Sequence, residues 1–378
     1  MDRPNMMLYI HIPFCVRKCL YCDFLSFPGC AKDTISAYAQ ALVLEMQKKK
    51  HLADGHHVSS IFFGGGTPSL IDTSLMGRIM ETIHRLFDVD PDAEITMEMN
   101  PGTVTAEKAA CYKALGINRI SMGAQSFVDK ELSSLGRIHQ SDQTAESVRI
   151  LKEEGFDNIS LDLMFDLPYQ SLDSWMYSLQ KALGLGLKHL SCYSLIVEEG
   201  TEFNRLYEEG KLNLPGEDLD RAMYHGAKAY LEKQGFRQYE ISNFALEGFH
   251  SRHNLGYWTR ELYLGFGLGA ASLEPGQIRS SNTCDLDAYL KDPAAGMERE
   301  ALSLEDQMSE TMFLGLRTLQ GVDLERFEKT YQQSARELFA DAIDRHMADG
   351  LLALHGKWLH LTEKGLDLAN QVYVDFLL

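Results

Sequence analysis

Three cysteines fall within eight residues, at Cys15, Cys19 and Cys22, in a C-x3-C-x2-C spacing. They follow a strand-like apolar run, so their thiols share one tight loop and can converge on a metal centre. Thiolates in this number suit zinc or an iron–sulfur cluster. A structural zinc site takes four protein ligands, and no fourth is obvious. Cys30 is eight residues beyond Cys22, and His11 precedes the loop on the strand. Three ligands on a four-iron cluster leave one iron open for a substrate, as a reductive cleavage requires.

Other chemistry-bearing residues recur where further strand-like runs end. The second run closes in Gly64-Gly65-Gly66-Thr67-Pro68. Glycines there permit close backbone approach to a ligand and leave amides and carbonyls exposed. A phosphate loop is the rival reading, but no Gly-Lys-Ser/Thr follows. In the third run, period-two alternation puts Thr96, Glu98 and Asn100 on one face. A carboxylate in a strand centre needs a partner, and a ribose hydroxyl would serve. Gln125 ends the fourth run, Arg137 follows in Leu135-Gly-Arg-Ile-His139, and Asp162 lies in the fifth. Each alone reads equally well as a capped or salt-bridged structural group. Together, polar groups at successive strand ends point to a ligand site.

The elements that must position these residues alternate. Strand-like runs cover Met7–Phe14, Ser59–Gly64, Glu94–Asn100, Arg119–Gln125, Asn158–Phe165 and His189–Ile196. Helix-like stretches at Ile35–Lys49, Leu70–Phe87, Ala106–Leu115, Ser141–Glu154 and Leu172–Leu183 separate them. This rhythm predicts βα units and a parallel sheet, here a partial (β/α)6 barrel of the TIM type, with ligands at the C-terminal strand ends. Asp33 and Thr34 are expected to cap the first helix and Thr105 the third. Gly116, Gly155 and Gly235 suit left-handed helix ends. Pro215–Gly216 marks a break, so the barrel is assigned to residues 1–215. Residues 216–296 form a mixed segment holding one helix (Leu219–Lys233), an aromatic stretch and the loop Gly265-Phe-Gly-Leu-Gly269. A weak linker at Lys291–Gly296 leads to residues 297–378. These read as three helices and a hairpin, Leu351–Leu361, in the manner of a small winged-helix module.

Composition narrows the function. The 378 residues are 45% apolar and 24% charged, ordinary for a soluble globular chain. The formal charge is −18, which opposes a general nucleic-acid field. The winged-helix-like part, with 7 basic and 13 acidic residues over 301–378, is a poor DNA binder and a better packing module. Seven cysteines, an odd number, with no export signal and no bilayer-length apolar run, favour the cytoplasm over a disulfide framework.

The C-x3-C-x-aromatic-C loop, with Tyr21 before Cys22, resembles the signature of the radical S-adenosylmethionine (SAM) enzymes. Within that superfamily the chain resembles the oxygen-independent coproporphyrinogen III oxidase-like family over nearly its whole length. The segments carrying this are YIHIPFC at 9–15, FFGGGTPSL at 62–70, EMNPG at 98–102, GAQSF at 123–127, LGRIH at 135–139 and LDLMFDLP at 161–168. YEISNF at 239–244 and RHNLGYW at 252–258 complete the set.

The resemblance implies that Cys15, Cys19 and Cys22 ligate a 4Fe–4S cluster. It implies SAM contacts at Tyr9, Gly65, Gly66, Thr67, Glu98, Gln125, Arg137 and Asp162, with Arg137 facing the methionyl carboxylate. Tyr21 matches an aromatic position near a second cofactor molecule in the oxidases. In the family's chemistry a reduced cluster gives one electron to split the sulfonium, so an electron donor is implied. Three features resemble the family's haem chaperone branch more than its oxidases. Phe24 stands where the oxidases carry a further cysteine, only 14 residues precede Cys15, and His253, Asn254, Tyr257 and Trp258 match an HNxxYW motif associated with haem. A histidine suits an axial position on haem iron, and aromatic neighbours suit a porphyrin face. Core anchoring is the other reading of His253 and Trp258. The family pattern after the glycine-rich loop is Gly-Ala-His, where this chain has Gly269-Ala270-Ala271.

The expectation is therefore a haem chaperone that binds haem and hands it to an acceptor haemoprotein. The segment around 239–272 would cover the barrel mouth and present His253. The alternative is oxidative decarboxylation of coproporphyrinogen III in porphyrin biosynthesis. A homodimer and membrane-peripheral delivery to a respiratory partner stay open.

Overall fold

The computed structural model describes residues 3–294 and 296–378. Ala295, inside the expected linker, lies outside the described residues. Six parallel strands form the heart of the molecule: β1 (Asn5–Ile12), β2 (His57–Gly65), β3 (Val89–Met99), β4 (Arg119–Gln125), β5 (Asn158–Phe165) and β6 (His189–Ser194). They pair in sequence order, which is the partial (β/α)6 barrel read from the spacing. The intervening helices, Lys32–Lys49, Thr73–Leu86, Ala106–Ala114, Ser141–Glu153 and Leu172–Gly184, pack their apolar faces on the sheet. Burying those faces supplies the main stabilising term.

The remaining strands belong to the same sheet. Two short strands, β7 (Arg237–Gln238) and β8 (Asn243–Ala245), extend it beyond β6 in antiparallel pairing. At the other side β9 (Tyr263–Phe266) pairs in parallel with β1. Then β10 (Ala271–Glu274), β11 (Ile278–Ser281) and β12 (Glu298–Ala301) continue antiparallel, making twelve strands in all. The middle segment is thus a continuation of the barrel sheet, contrary to the expectation of a cover over its mouth. The glycine-rich loop follows from this packing. Gly267 has φ +102°, and a Cβ there would stand 2.6 Å from the His11 carbonyl oxygen and 2.5 Å from the Tyr38 hydroxyl. Ala271 is exposed at the start of β10.

The C-terminal module has its own core, including Met312, Phe327, Ile343, Leu359 and Phe376. Its expected hairpin is present as β14 (Leu352–His355) and β15 (Trp358–Leu361), joined by β13 (Val322–Asp323). Helix ends follow the sequence in part. Gly116, Gly155 and Gly235 have φ of 88°, 84° and 87°, and Thr105 accepts a bond from the Lys108 amide. Asp33 and Thr34 do not cap the first helix. It begins at Lys32, with Ala31 in the cap position and no side-chain cap bond. Among the described residues no helix is long and apolar enough to cross a membrane.

Candidate functional site: a thiol-lined cleft at the C-terminal strand ends

The cysteine loop leaves β1 and is pinned at several points. Phe14–Cys15 pairs with Phe27–Pro28 as a two-stranded bridge. The Leu20 amide donates to the Leu135 carbonyl at 3.0 Å, and the Cys22 amide closes a turn onto the Cys19 carbonyl. His11 braces the loop from beneath. Its Nε2 stands 3.0 Å from the Leu25 carbonyl oxygen and its Nδ1 3.0 Å from the Tyr9 hydroxyl. Both ring nitrogens are committed, so His11 positions the loop instead of ligating.

The three thiols line one cleft of about 320 Å³. Cys19 receives the Arg137 Nη1 at 3.6 Å, and Cys15 receives the Thr67 hydroxyl at 3.7 Å. Burial pushes the Cys15 thiol up, and Cys22 up to about 11. Gly65 and Gly66 form the opposite wall. Gly65 has φ +111°, and a Cβ there would stand 2.6 Å from the His11 ring. A Cβ on Gly66 would stand 2.6 Å from the Phe14 carbonyl and 3.0 Å from Cys15 Sγ. Only glycine fits either position.

The other strand ends deliver polar groups to the same space. Glu98 accepts the Gly65 amide at 3.0 Å. Burial, with Asp162 nearby, pushes its carboxyl up to about 8. Asp162 accepts the Ser121 hydroxyl at 3.3 Å, and burial raises it too. Arg137 donates to Asn100 Oδ1 at 2.7 Å and to the Gly123 carbonyl at 2.5 Å, while its Nε is buried and unpartnered among the described residues. Gln125 ends β4 with φ 64° and accepts the Tyr193 hydroxyl at 3.1 Å. Tyr21 lines the cleft beside Cys22, and Phe24 and Ile196 form exposed parts of its rim.

Of the residues singled out in the sequence, Cys15, Cys19, Cys22, Tyr21, Gly65, Gly66, Glu98, Gln125, Arg137 and Asp162 line this cleft. Tyr9 and Thr67 stand behind it. Tyr9 packs on Phe62, and Thr67 accepts from Asn100 Nδ2 at 2.7 Å while donating to Cys15. Tyr193 on β6 is a lining residue that the sequence reading missed. The signal was present, since Ser191 and Tyr193 continue the period-two face.

His253, Asn254, Tyr257 and Trp258 do not line this cleft. They form a short helix, Arg252–Trp258, set against the N-terminal ends of the strands, the floor of the barrel. The Arg252 and His253 amides both donate to the Glu94 carboxylate at 3.1 Å. His253 is 1% exposed. Its Nδ1 pairs with the Ser60 hydroxyl at 2.9 Å and its Nε2 with the Tyr257 hydroxyl at 3.0 Å. Burial pushes its pKa down to about 3. The expectation that this segment presents His253 at the mouth is corrected: the ring lies at the opposite end, with neither nitrogen open to an iron in this arrangement. Gly256 explains the close fit, since a Cβ there would overlap the Met7 sulfur.

A curled parallel sheet with a three-thiol cleft at its C-terminal edge defines a radical SAM protein. The model described as the Radical SAM superfamily matches residues 9–182, and the HemN C-terminal domain matches residues 302–368. The chain is 38% identical over 382 residues to the Lactococcus lactis protein named heme chaperone HemW, covering 100% of this chain and 98% of that one. Its namesake in Bacillus subtilis is 38% identical over 374 residues, covering 98% of each. The solved structure of coproporphyrinogen III oxidase (HemN) from Escherichia coli superposes with a TM-score of 0.86 at 23% identity, over 100% of this chain and 90% of that one. Within the radical SAM superfamily, the chain belongs to the HemW family.

The superfamily implies a 4Fe–4S cluster and SAM, and the cleft suits both. All seven cysteines are free. Among the described residues no three His, Cys, Asp or Glu side chains gather tightly enough for a single metal ion. A multi-iron cluster offers each thiolate its own iron, so its ligands need not meet at one point. The unpartnered Arg137 Nε and the glycine wall are the features a carboxylate-bearing cofactor would use.

Proposed function

We propose that this protein is a haem chaperone, which binds haem and delivers it to an acceptor haemoprotein in the cytoplasm. The observation that carries the reading is end-to-end similarity, at 38% identity, to curated relatives named heme chaperone HemW. In this reading Cys15, Cys19 and Cys22 hold the cluster and Tyr21 flanks it. Gly65, Gly66, Glu98, Gln125, Arg137 and Asp162 hold SAM, with Tyr9 and Thr67 supporting them from behind. When bound, the cluster supplies an electron to the SAM sulfonium, drawn from an external reductant. The chain's own part is orientation. Arg137 faces a carboxylate while anchored by Asn100 and Gly123. Gly65 keeps Glu98 turned into the cleft. The buried walls exclude water and strengthen these contacts.

Anaerobic titration of the iron-loaded protein with haemin, followed by addition of apomyoglobin, tests the reading. Saturable binding of about one equivalent, transfer to apomyoglobin and no turnover of coproporphyrinogen III are expected. Absence of saturable haemin binding overturns the chaperone reading. Decarboxylation of coproporphyrinogen III would replace it with the oxidase reading.

A further inference from the structure

A second and larger cavity, of about 660 Å³, lies beneath the barrel floor, between the Arg252–Trp258 helix and the C-terminal module. Its volume is that of a small-molecule site, about 300–1,000 Å³. Trp258 enters from the floor helix, Phe327 and Tyr331 from the Leu324–Tyr331 helix, and Trp358 from the C-terminal hairpin. Flat aromatic surfaces facing one space suit a flat aromatic ligand.

Three polar features of the cavity are unspent. The histidines His189 and His253 at the floor have both ring nitrogens paired, His189 with Ser160 and Tyr239. His250, which lines the cavity, has neither nitrogen bonded among the described residues; its ring stacks on Tyr239 at 4.4 Å. Burial lowers its pKa, which keeps the imidazole neutral and able to ligate. The Trp258 Nε1 donor is buried without a partner among the described residues. Arg326 is exposed at the cavity edge, and its guanidinium makes no ion pair among the described residues, whereas Arg260 is held by Glu310, Tyr331 and Gln277.

A neutral imidazole, aromatic walls and a free guanidinium match the iron, the macrocycle and a carboxylate of an iron porphyrin. We propose that this cavity, and not the cysteine cleft, is the haem site, with His250 as the iron ligand and Arg326 facing a propionate. The proposal rests on the chaperone reading. It gives the HNxxYW segment a different part from ligation: His253 locks the floor helix, and Trp258 presents its ring to the ligand.

The test uses the full iron-loaded chain, haemin as the probe, and two variants. His250→Phe keeps the stack on Tyr239 and removes the ligating nitrogen. Thr330→Trp puts a bulky ring into the cavity from an exposed position. Haemin affinity and the Soret position are read beside SAM affinity and iron content. The expected result is at least a tenfold loss of haemin affinity in both variants and a shifted Soret band in His250→Phe. SAM binding and iron content stay at the wild-type level. Wild-type haemin binding in both variants overturns the proposed site and leaves the chaperone reading standing. Competition between haemin and SAM in the wild type likewise overturns it, placing haem in the cysteine cleft. If the wild type itself binds no haemin, the chaperone reading fails first and the site falls with it.

Discussion

At the cysteine end of the barrel, among the described residues, Arg137 keeps an unpartnered Nε and Glu98 holds a single amide, and burial pushes the Glu98 carboxyl up to about 8. At the floor, both oxygens of Glu94 take helix amides, and both nitrogens of His253 and of His189 are bonded. Glu94 and Glu98 come from the same face of one strand, β3. A buried polar group with its partners in place stabilises and fixes a fold; one left short of partners costs free energy until a ligand completes it. Residue type alone therefore does not separate a site from a brace. The count of satisfied bonds does.

The largest expected effect comes from the cysteine end. Replacing Cys15, Cys19 and Cys22 together by alanine should reduce bound iron to background while the circular dichroism spectrum stays that of the folded chain. Unfolding of this variant would show that the thiols brace the loop as the floor residues brace their helix, and would erase the contrast. Next in size is Glu94→Gln. It leaves one of two helix amides without its acceptor, a cost of about 1–3 kcal/mol, read as a lower denaturation midpoint with unchanged SAM affinity. A loss of SAM affinity would mean that the two ends are coupled.

The third test is the pH dependence of the cofactor-free protein. Glu98 binds its proton more tightly when folded, so stability falls as pH rises from the ordinary 4.5 through about 8. His253, pushed down from 6.5 to about 3, contributes stability above pH 6.5 that is lost as pH falls. Chemical denaturation across pH 3–9 should show both slopes. Glu98→Gln should flatten only the alkaline one, and SAM should diminish it.

Much of the cysteine end was legible in the sequence because it is local. Cys15, Cys19 and Cys22 share one loop, and Gly65, Glu98 and Gln125 close successive strands at the end where a βα barrel gathers its ligands. The floor was not legible, because it is built from distant partners. Nothing in HNxxYW says that Ser60 and Glu94, about 160–190 residues earlier by number, wait to receive it. The sheet extension from β9 to β12 was missed for a related reason. Four-residue strands give too few alternations to read, and Gly265 and Gly267 disguised a strand and its tight turn as a loop. Asp33 and Thr34 failed as caps because the first helix starts upstream of them.

The strand that leads into the cysteine loop is flanked on one side by residues 57–65 and on the other by residues 263–266. The second flank is made some 250 residues after the first cysteine is added. At about 5–20 residues per second that is a wait of tens of seconds. Throughout it the thiols stand on a strand with one open edge, without the packing of Gly267 against the His11 carbonyl. The thiol loop is therefore fully flanked only when most of the chain has been made, which places completion of the site late in synthesis.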